Sequence, residues 1–356
     1  MTFVYVGTYT EADRGGRGEG VYVYRMDEQT GDLSHVQTLA GVPNPHFLAL
    51  HPNGRFLYST NGGDTSAVTA YAIDPATGRI ELLNRQISPG PGPTHLAVDP
   101  SGRCVVVANY AGGSVAVYPL GADGKLGPHS DFHQHSGPLG PNPKRQDKPH
   151  AHMAGFDHSG RFVLVCDLGM DRTFVYRVDA ANGKITLNDP PYGEAPTGHG
   201  PRHLAFHPNG RWVYVINELA GSITTFAFDD QTGALRPLQT VSTLPDGFSG
   251  ENISAEVVVH PNGRFVYGSN RGPETLAIFE VDGANGTLTP RGHVPSGGKE
   301  PRHFDIHPDA RFLYAANQYS DNVNVFRVDA TTGALTPTGH VTQVGTPSCV
   351  VFLRPG

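Results

Sequence analysis

Apolar runs of five or six residues recur along the chain, paired across one polar turn. The turn reads HPNGR at 51–55, DPSGR at 99–103, DHSGR at 157–161, HPNGR at 207–211 and 260–264, and HPDAR at 307–311. Successive turns start 48, 58, 50, 53 and 47 residues apart. Before each lies a run such as HFLAL or RHLAF, and after it a run ending in Asn or Asp, such as RFLYSTN or RFVLVCD. Two further strand-like segments follow, joined by a D-x-x-T-G link in several units. The pattern predicts four-stranded antiparallel units with a period of roughly fifty residues, the period of a propeller blade.

Six turns give six units, and the chain ends supply a seventh. FVYVGTY at the N-terminus matches a second strand, and GVYVYRMD and DLSHVQTL match a third and fourth. The missing first strand is TPSCVVFL at 346–353. The expected fold is all-β: a seven-bladed propeller of four antiparallel strands per blade, one domain over residues 1–356. Its ring closes by pairing the C-terminal strand with the N-terminal ones, which removes exposed sheet edges. One stretch breaks the period: a polar insertion at 127–149 leading into the fourth blade.

Composition narrows the chemistry. With 45 Gly, 30 Pro and a net charge of −7, the chain has the makeup of short strands and tight turns and no basic cluster to hold a nucleic acid. Yet 21 of its 26 basic residues are Arg, the side chain suited to forked recognition of carboxylate or phosphate. No apolar window approaches a membrane span and no signal peptide opens the sequence, so a cytoplasmic protein with no membrane partner is expected. Cys104, Cys166 and Cys349 lie in apolar runs and are expected to be buried thiols.

In a propeller the start of strand one and the end of strand two meet at one mouth of the central channel. That placement gathers His150, His152, Arg202, His203, Glu256 and Arg302 with Asp167, Glu218, Arg271 and Gln318, and the insertion adds Arg145 and Gln146. Strand counting places Arg202 opposite residue 216, near Glu218, and His152 opposite Cys166, beside Asp167. The recurring Asn61, Asn109, Asn217, Asn270 and Asn317 read as structural, as do the turn histidines. No G-x-S-x-G elbow is present. The set suits water attack on an activated ester, or proton transfer beside a carboxylate. His150 and His152 share one strand side and with Asp167 offer a possible metal set, but the surrounding arginines oppose a cation, so no metal or cofactor is expected.

The runs GPNPKRQDKPHAHM, CDLGMDR, GPRHLAFHPNGRWVYVINEL, AEVVVHPNGRFVYGSNRG and EPRHFDIHPDARFLYAANQ resemble, in order and over essentially the whole chain, the seven-bladed propeller lactonases. The resemblance implies hydrolysis of 6-phosphoglucono-1,5-lactone to 6-phosphogluconate in the pentose phosphate pathway. The chain is also similar to the fungal carboxymuconate lactonizing enzymes. Their His, Glu and two Arg fall here on His150 or His152, Glu218, Arg202 and Arg271. The catalytic set expected from residues and resemblance together is His152, Glu218, Arg202 and Asp167. Arg145, Gln146, His150, His203, Glu256, Arg271, Arg302 and Gln318 are expected to bind a small anionic lactone. A muconate-type lactonizing activity and a noncatalytic, anion- or protein-binding propeller are the alternatives.

Overall fold

The computed structural model describes residues 1–63 and 66–354. These form seven four-stranded antiparallel sheets arranged as the blades of a propeller. Blade 1 takes its first strand, Pro347–Leu353, from the C-terminus and its second, Thr2–Thr8, from the N-terminus. The first strands of blades 2 to 7 are Pro45–Leu50, Pro93–Val98, Ala151–Phe156, Pro201–Phe206, Ile253–Val259 and Pro301–Ile306. Each touches the first strands of both neighbouring blades all the way round, which sets them about the central axis.

The second strands carry the core. Phe56–Asn61, Cys104–Asn109, Phe162–Asp167, Trp212–Asn217, Phe265–Arg271 and Phe312–Asn317 are buried at every position, as is Thr2–Thr8. Covered on both faces, they read as continuous apolar runs, whereas outer strands such as Ile80–Ile87 alternate. The hydrophobic clusters lie between blades: Phe3, Tyr5, Leu57 and Tyr71 join blades 1 and 2, and Leu164, Val175, Val213 and Phe226 join blades 4 and 5. No blade buries its own faces alone.

Two repeated hydrogen bonds explain the sequence motifs. A buried Tyr on the second strand donates to a turn carbonyl of the next blade: Tyr5 to Gly78, Tyr58 to Gly124, Tyr214 to Gly286, Tyr267 to Gly333 and Tyr314 to Gly31, at 2.6–3.0 Å. These glycines end the T-G links or their equivalents. The turn histidines act likewise, with His51 Nε2 3.0 Å from the Gly102 carbonyl and His207 Nε2 2.8 Å from that of Gly263. The three cysteines are free and buried. The stretch 127–149 is not all insertion: Asp131–Gln134 form the outer strand of blade 3, paired to Ser114–Val117, so the extra chain is 135–149.

Candidate active site

One irregularity shapes the mouth. In blades 2, 3, 4, 5 and 7 the first strand holds one unpaired residue near its start: His46, Thr94, His152, Arg202 and Arg302. Blade 1 skips Ser348 in the same way, and in blade 6 Ala255 and Glu256 together oppose Ser269. Such a bulge breaks the strict alternation of side chains. Both members of the pairs His46–Phe47, Arg202–His203 and Arg302–His303 therefore line the channel. The counted register is corrected by one residue: His203 faces Ile216 and Met153 faces Cys166.

At the mouth is a cavity of about 250 Å³, lined by His152, Glu218, Arg145, Arg271 and Arg302, with Tyr9, Arg14, His46, Thr94 and Tyr110 among its other walls. Beneath it a void of about 10 Å³, room for roughly one water, is lined by His152, Arg202, His203, Arg302 and His303.

Glu218 is the hub. Its Oε1 accepts from Arg145, and its Oε2 from Arg202 Nε at 3.1 Å and Arg271 Nη2 at 3.0 Å. The insertion thus reaches across the mouth from blade 4 to blade 5. Burial alone would raise the Glu218 carboxyl, but Arg271, Arg145 and Arg202 outweigh it and hold the group at about 2. So held, Glu218 is an anion that fixes three guanidiniums and too weak a base to take a proton. Arg271 also donates through Nη1 to Glu300 at 3.2 Å and through Nε to the Ile253 carbonyl at 2.8 Å. Arg202 donates through Nη1 to the Ala255 carbonyl at 2.5 Å, and its Nη2 has no acceptor among the described residues. Burial first, then Arg271 and Arg302, lower Arg202 to about 9, which leaves it charged at neutral pH.

Removing the Glu218 charge should cost stability as well as function. Glu218→Gln leaves buried guanidiniums unbalanced, and breaking a buried ion pair costs about 3–5 kcal/mol. Chemical denaturation of the variant should show a loss of that order; an unchanged midpoint would mean the arginines do not depend on this carboxylate.

His152 contrasts with Glu218. Its ring stands edge-on to Tyr110 at 5.3 Å and to His203 at 5.0 Å, and its buried Nδ1 has no partner among the described residues. Burial, then the charge of Arg202, His203, Arg302 and Arg271, keep its pKa well below 6.5. It is a neutral imidazole with a lone pair to offer.

Other expected residues sit elsewhere. Asp167 does not orient His152: it accepts from His135 Nδ1 at 2.6 Å and from the backbone N–H groups of His150 and Gly169 at 2.8 and 3.0 Å. It occupies the place of the structural asparagines, such as Asn217 with its bonds to Ser222 and Thr224. Gln146 is turned inward, donating to the Leu168 carbonyl and Asp171 at 2.9 and 2.8 Å, so it pins the insertion and leaves the cavity wall to Arg145. His150 stacks on Tyr110 at 4.4 Å, with its ring nitrogens 3.0 Å from the Tyr110 carbonyl and 2.9 Å from Asp147, and supports that wall. His203 lies one layer down, 2.9 Å from Glu256, and Glu256 lines neither cavity nor void. Gln318 is buried beside the mouth and does not line the cavity.

Because Asp167 and His150 are committed in this way, the trio His150, His152 and Asp167 does not converge on a common point. Among the described residues, Glu28, His307 and Asp309 are the group close enough to share an ion. They sit at a turn remote from the mouth, and Arg311 and the N-terminal ammonium already pair with them.

Tyr9 and Arg14 escaped the reading of the sequence. They lie on the link between the second and third strands of blade 1, residues 9–19, where blade 5 uses only 218–221. That excess length was the available signal.

The sequence model of the family described as "Lactonase, 7-bladed beta-propeller" matches residues 3–352. A 6-phosphogluconolactonase of Bacillus subtilis is 37% identical over 301 residues, covering 84% of this chain and 83% of its own. One from Formosa agariphila is 32% identical over 310 residues, covering 85% and 86%. Among solved structures, a periplasmic gluconolactonase of Pseudomonas aeruginosa aligns over 100% of both chains with a TM-score of 0.92 and 33% identity. A family match from the first strand to the last, joined to a mouth that holds a neutral imidazole among anchored arginines, places the conclusion on firm ground: the chain belongs to the seven-bladed β-propeller lactonases, enzymes that hydrolyse lactones.

Proposed function

We propose that this enzyme opens a phosphorylated sugar lactone, 6-phosphoglucono-1,5-lactone, to 6-phosphogluconate. The observation that carries the reading is the neutral His152 set against an arginine-rich cavity. His152 takes a proton from water as the water oxygen bonds to the lactone carbonyl carbon. The oxyanion so formed faces Arg202, whose Nη2 is uncommitted; one such preorganised donor is worth about 10²- to 10³-fold in rate. The tetrahedral intermediate then breaks its bond to the ring oxygen, and imidazolium returns the proton to that oxygen, giving a hydroxyl and a carboxylic acid, which releases its remaining proton to solvent to become the carboxylate. Arg145 and Arg271, fixed by Glu218, preserve the field around the reacting carbon. The names of the Bacillus subtilis and Formosa agariphila relatives support the phosphorylated substrate.

No step requires a metal. The test is the hydrolysis rate of 6-phosphoglucono-1,5-lactone, corrected for spontaneous opening and repeated with a chelator. A corrected rate of zero would sink the reading, and a rate that vanishes on chelation would replace its mechanism. The cytoplasm is the compartment we assign, because a phosphate ester carries close to two charges and does not cross a bilayer unaided. Among the described residues, no helix is long and apolar enough to cross a membrane.

The pH dependence follows from His152. The base works when neutral, and its pKa is depressed, so activity is present above that pKa and lost as pH falls through it. The acid limb of kcat/KM should lie below the ordinary histidine value of 6.5, after allowance for the substrate phosphate's own titration near 6. A limb centred above 6.5 would point to a different base.

A further inference from the structure

Five arginines stand at the cavity and its floor, and they are not equivalent. Arg145, Arg202 and Arg271 are committed to Glu218. Arg302 donates only to the Tyr9 hydroxyl, at 3.0 Å, and lies over the Tyr9 ring at 5.3 Å, with no carboxylate partner among the described residues. Arg14 pairs with Asp13 at 3.8 Å, and both are exposed, an arrangement worth little in water. The two uncommitted cations line the same cavity. They belong to blade 7 and the blade 1 loop, across the ring from His152 on blade 4.

The loop that carries Arg14 is built to hold a position. The Thr10 and Glu11 N–H groups donate to Asn44 Oδ1 at 2.8 and 3.0 Å, and the Arg17 and Gly18 N–H groups to Thr346 Oγ1 at 3.0 and 3.1 Å. Arg17 then clamps Asp321 with Nε at 2.7 Å and Nη2 at 2.9 Å. Arg302 stands in the wall without a salt-bridge partner among the described residues, while Glu218 and Glu300 lie near enough to favour its charged form, and a guanidinium so placed can accept an anion as a direct partner.

We propose that Arg14 and Arg302 form the phosphate subsite, and that Arg14 sets the preference for phosphorylated over unphosphorylated lactones. This rests on the lactonase reading above, with the carbonyl end of the ligand at His152 and the phosphate end at Tyr9. Contacts to a remote phosphate are made equally in ground and transition states, so they act through KM.

The experiment compares the wild type with Arg14→Gln on 6-phosphoglucono-1,5-lactone and on 1,5-gluconolactone, with inorganic phosphate as competitive inhibitor. Arg14→Gln should raise KM for the phosphorylated lactone about 10- to 100-fold, the loss expected for a hydrogen bond to a charged group, with kcat nearly unchanged. The inhibition constant of phosphate should rise by a similar factor, and constants for the unphosphorylated lactone should not move. An unchanged KM and phosphate inhibition constant, or an equal loss on both lactones, would overturn the subsite while leaving the lactonase reading intact. A wild type inactive on the phosphorylated lactone would overturn both. Arg14 is exposed on its loop, so circular dichroism should show the fold preserved.

Discussion

His152→Ala should lower turnover about 10²- to 10⁴-fold, the range supplied by a positioned general base, while leaving the thermal midpoint close to that of the parent. The separation of the two effects is the informative part. The ring stands in a polar recess where its Nδ1 makes no hydrogen bond among the described residues, and its strand neighbours keep the ladder paired without it. Deleting the ring therefore removes a neutral base that faces the cavity and breaks no hydrogen bond among the described residues. Steady-state rates on the phosphorylated lactone, with a melting curve on the same preparation, decide the matter. Turnover near that of the parent would remove His152 from the chemistry and reopen the anion-binding alternative.

Truncation before Thr346 should abolish the cooperative fold. It deletes the first strand of blade 1, paired to the N-terminal strand from Phe3 opposite Leu353 to Thr8 opposite Pro347. Val350, Phe352 and Leu353 sit in the clusters that join blade 1 to blades 7 and 2. Fully burying an apolar side chain contributes about 1.5–3 kcal/mol, so these three account for about 5–9 kcal/mol. That is comparable to the entire stability of many domains, about 5–15 kcal/mol. The exposed edge of Thr2–Thr8 would then be open to pairing with other chains. Size-exclusion chromatography and a melting curve test the point: a monomer with the parent's transition would show that the ring does not need its closing strand.

Much of this was legible in the chain because the blades repeat. The HPNGR-type turns fixed the period, and two half-units at the ends, FVYVGTY and TPSCVVFL, disclosed the seventh blade and its closure. The mouth was legible as a region, since strand polarity alone brings residues such as Glu218, Arg271 and Arg302 to one end. Its wiring was not. A bulge shifts pairing by one residue and leaves the hydrophobic pattern unchanged, so the Arg202 and His152 registers could not be counted. Asp167 looked like chemistry because strand counting set this carboxylate beside His152, yet it accepts from His135, thirty-two positions earlier, where no pattern linked the two. That Arg202 would reach Glu218 was legible from strand counting despite that shift, but that Arg145 and Arg271 would join it was hidden, because they come from an insertion and another blade.

The unpaired residue in each first strand also bears on how such a protein can change its ligand. At six of these places (His46, Thr94, His152, Arg202, Arg302 and Ser348) the side chain sits outside the paired register, and in blade 6 Ala255 and Glu256 share the corresponding place. Mutations there alter what the channel presents while the hydrogen-bond ladders and the tyrosine ties between blades stay in place. A library varied at these positions, Arg202 excepted because it is paired with Glu218, would sample new ligand chemistry on the same framework of strands.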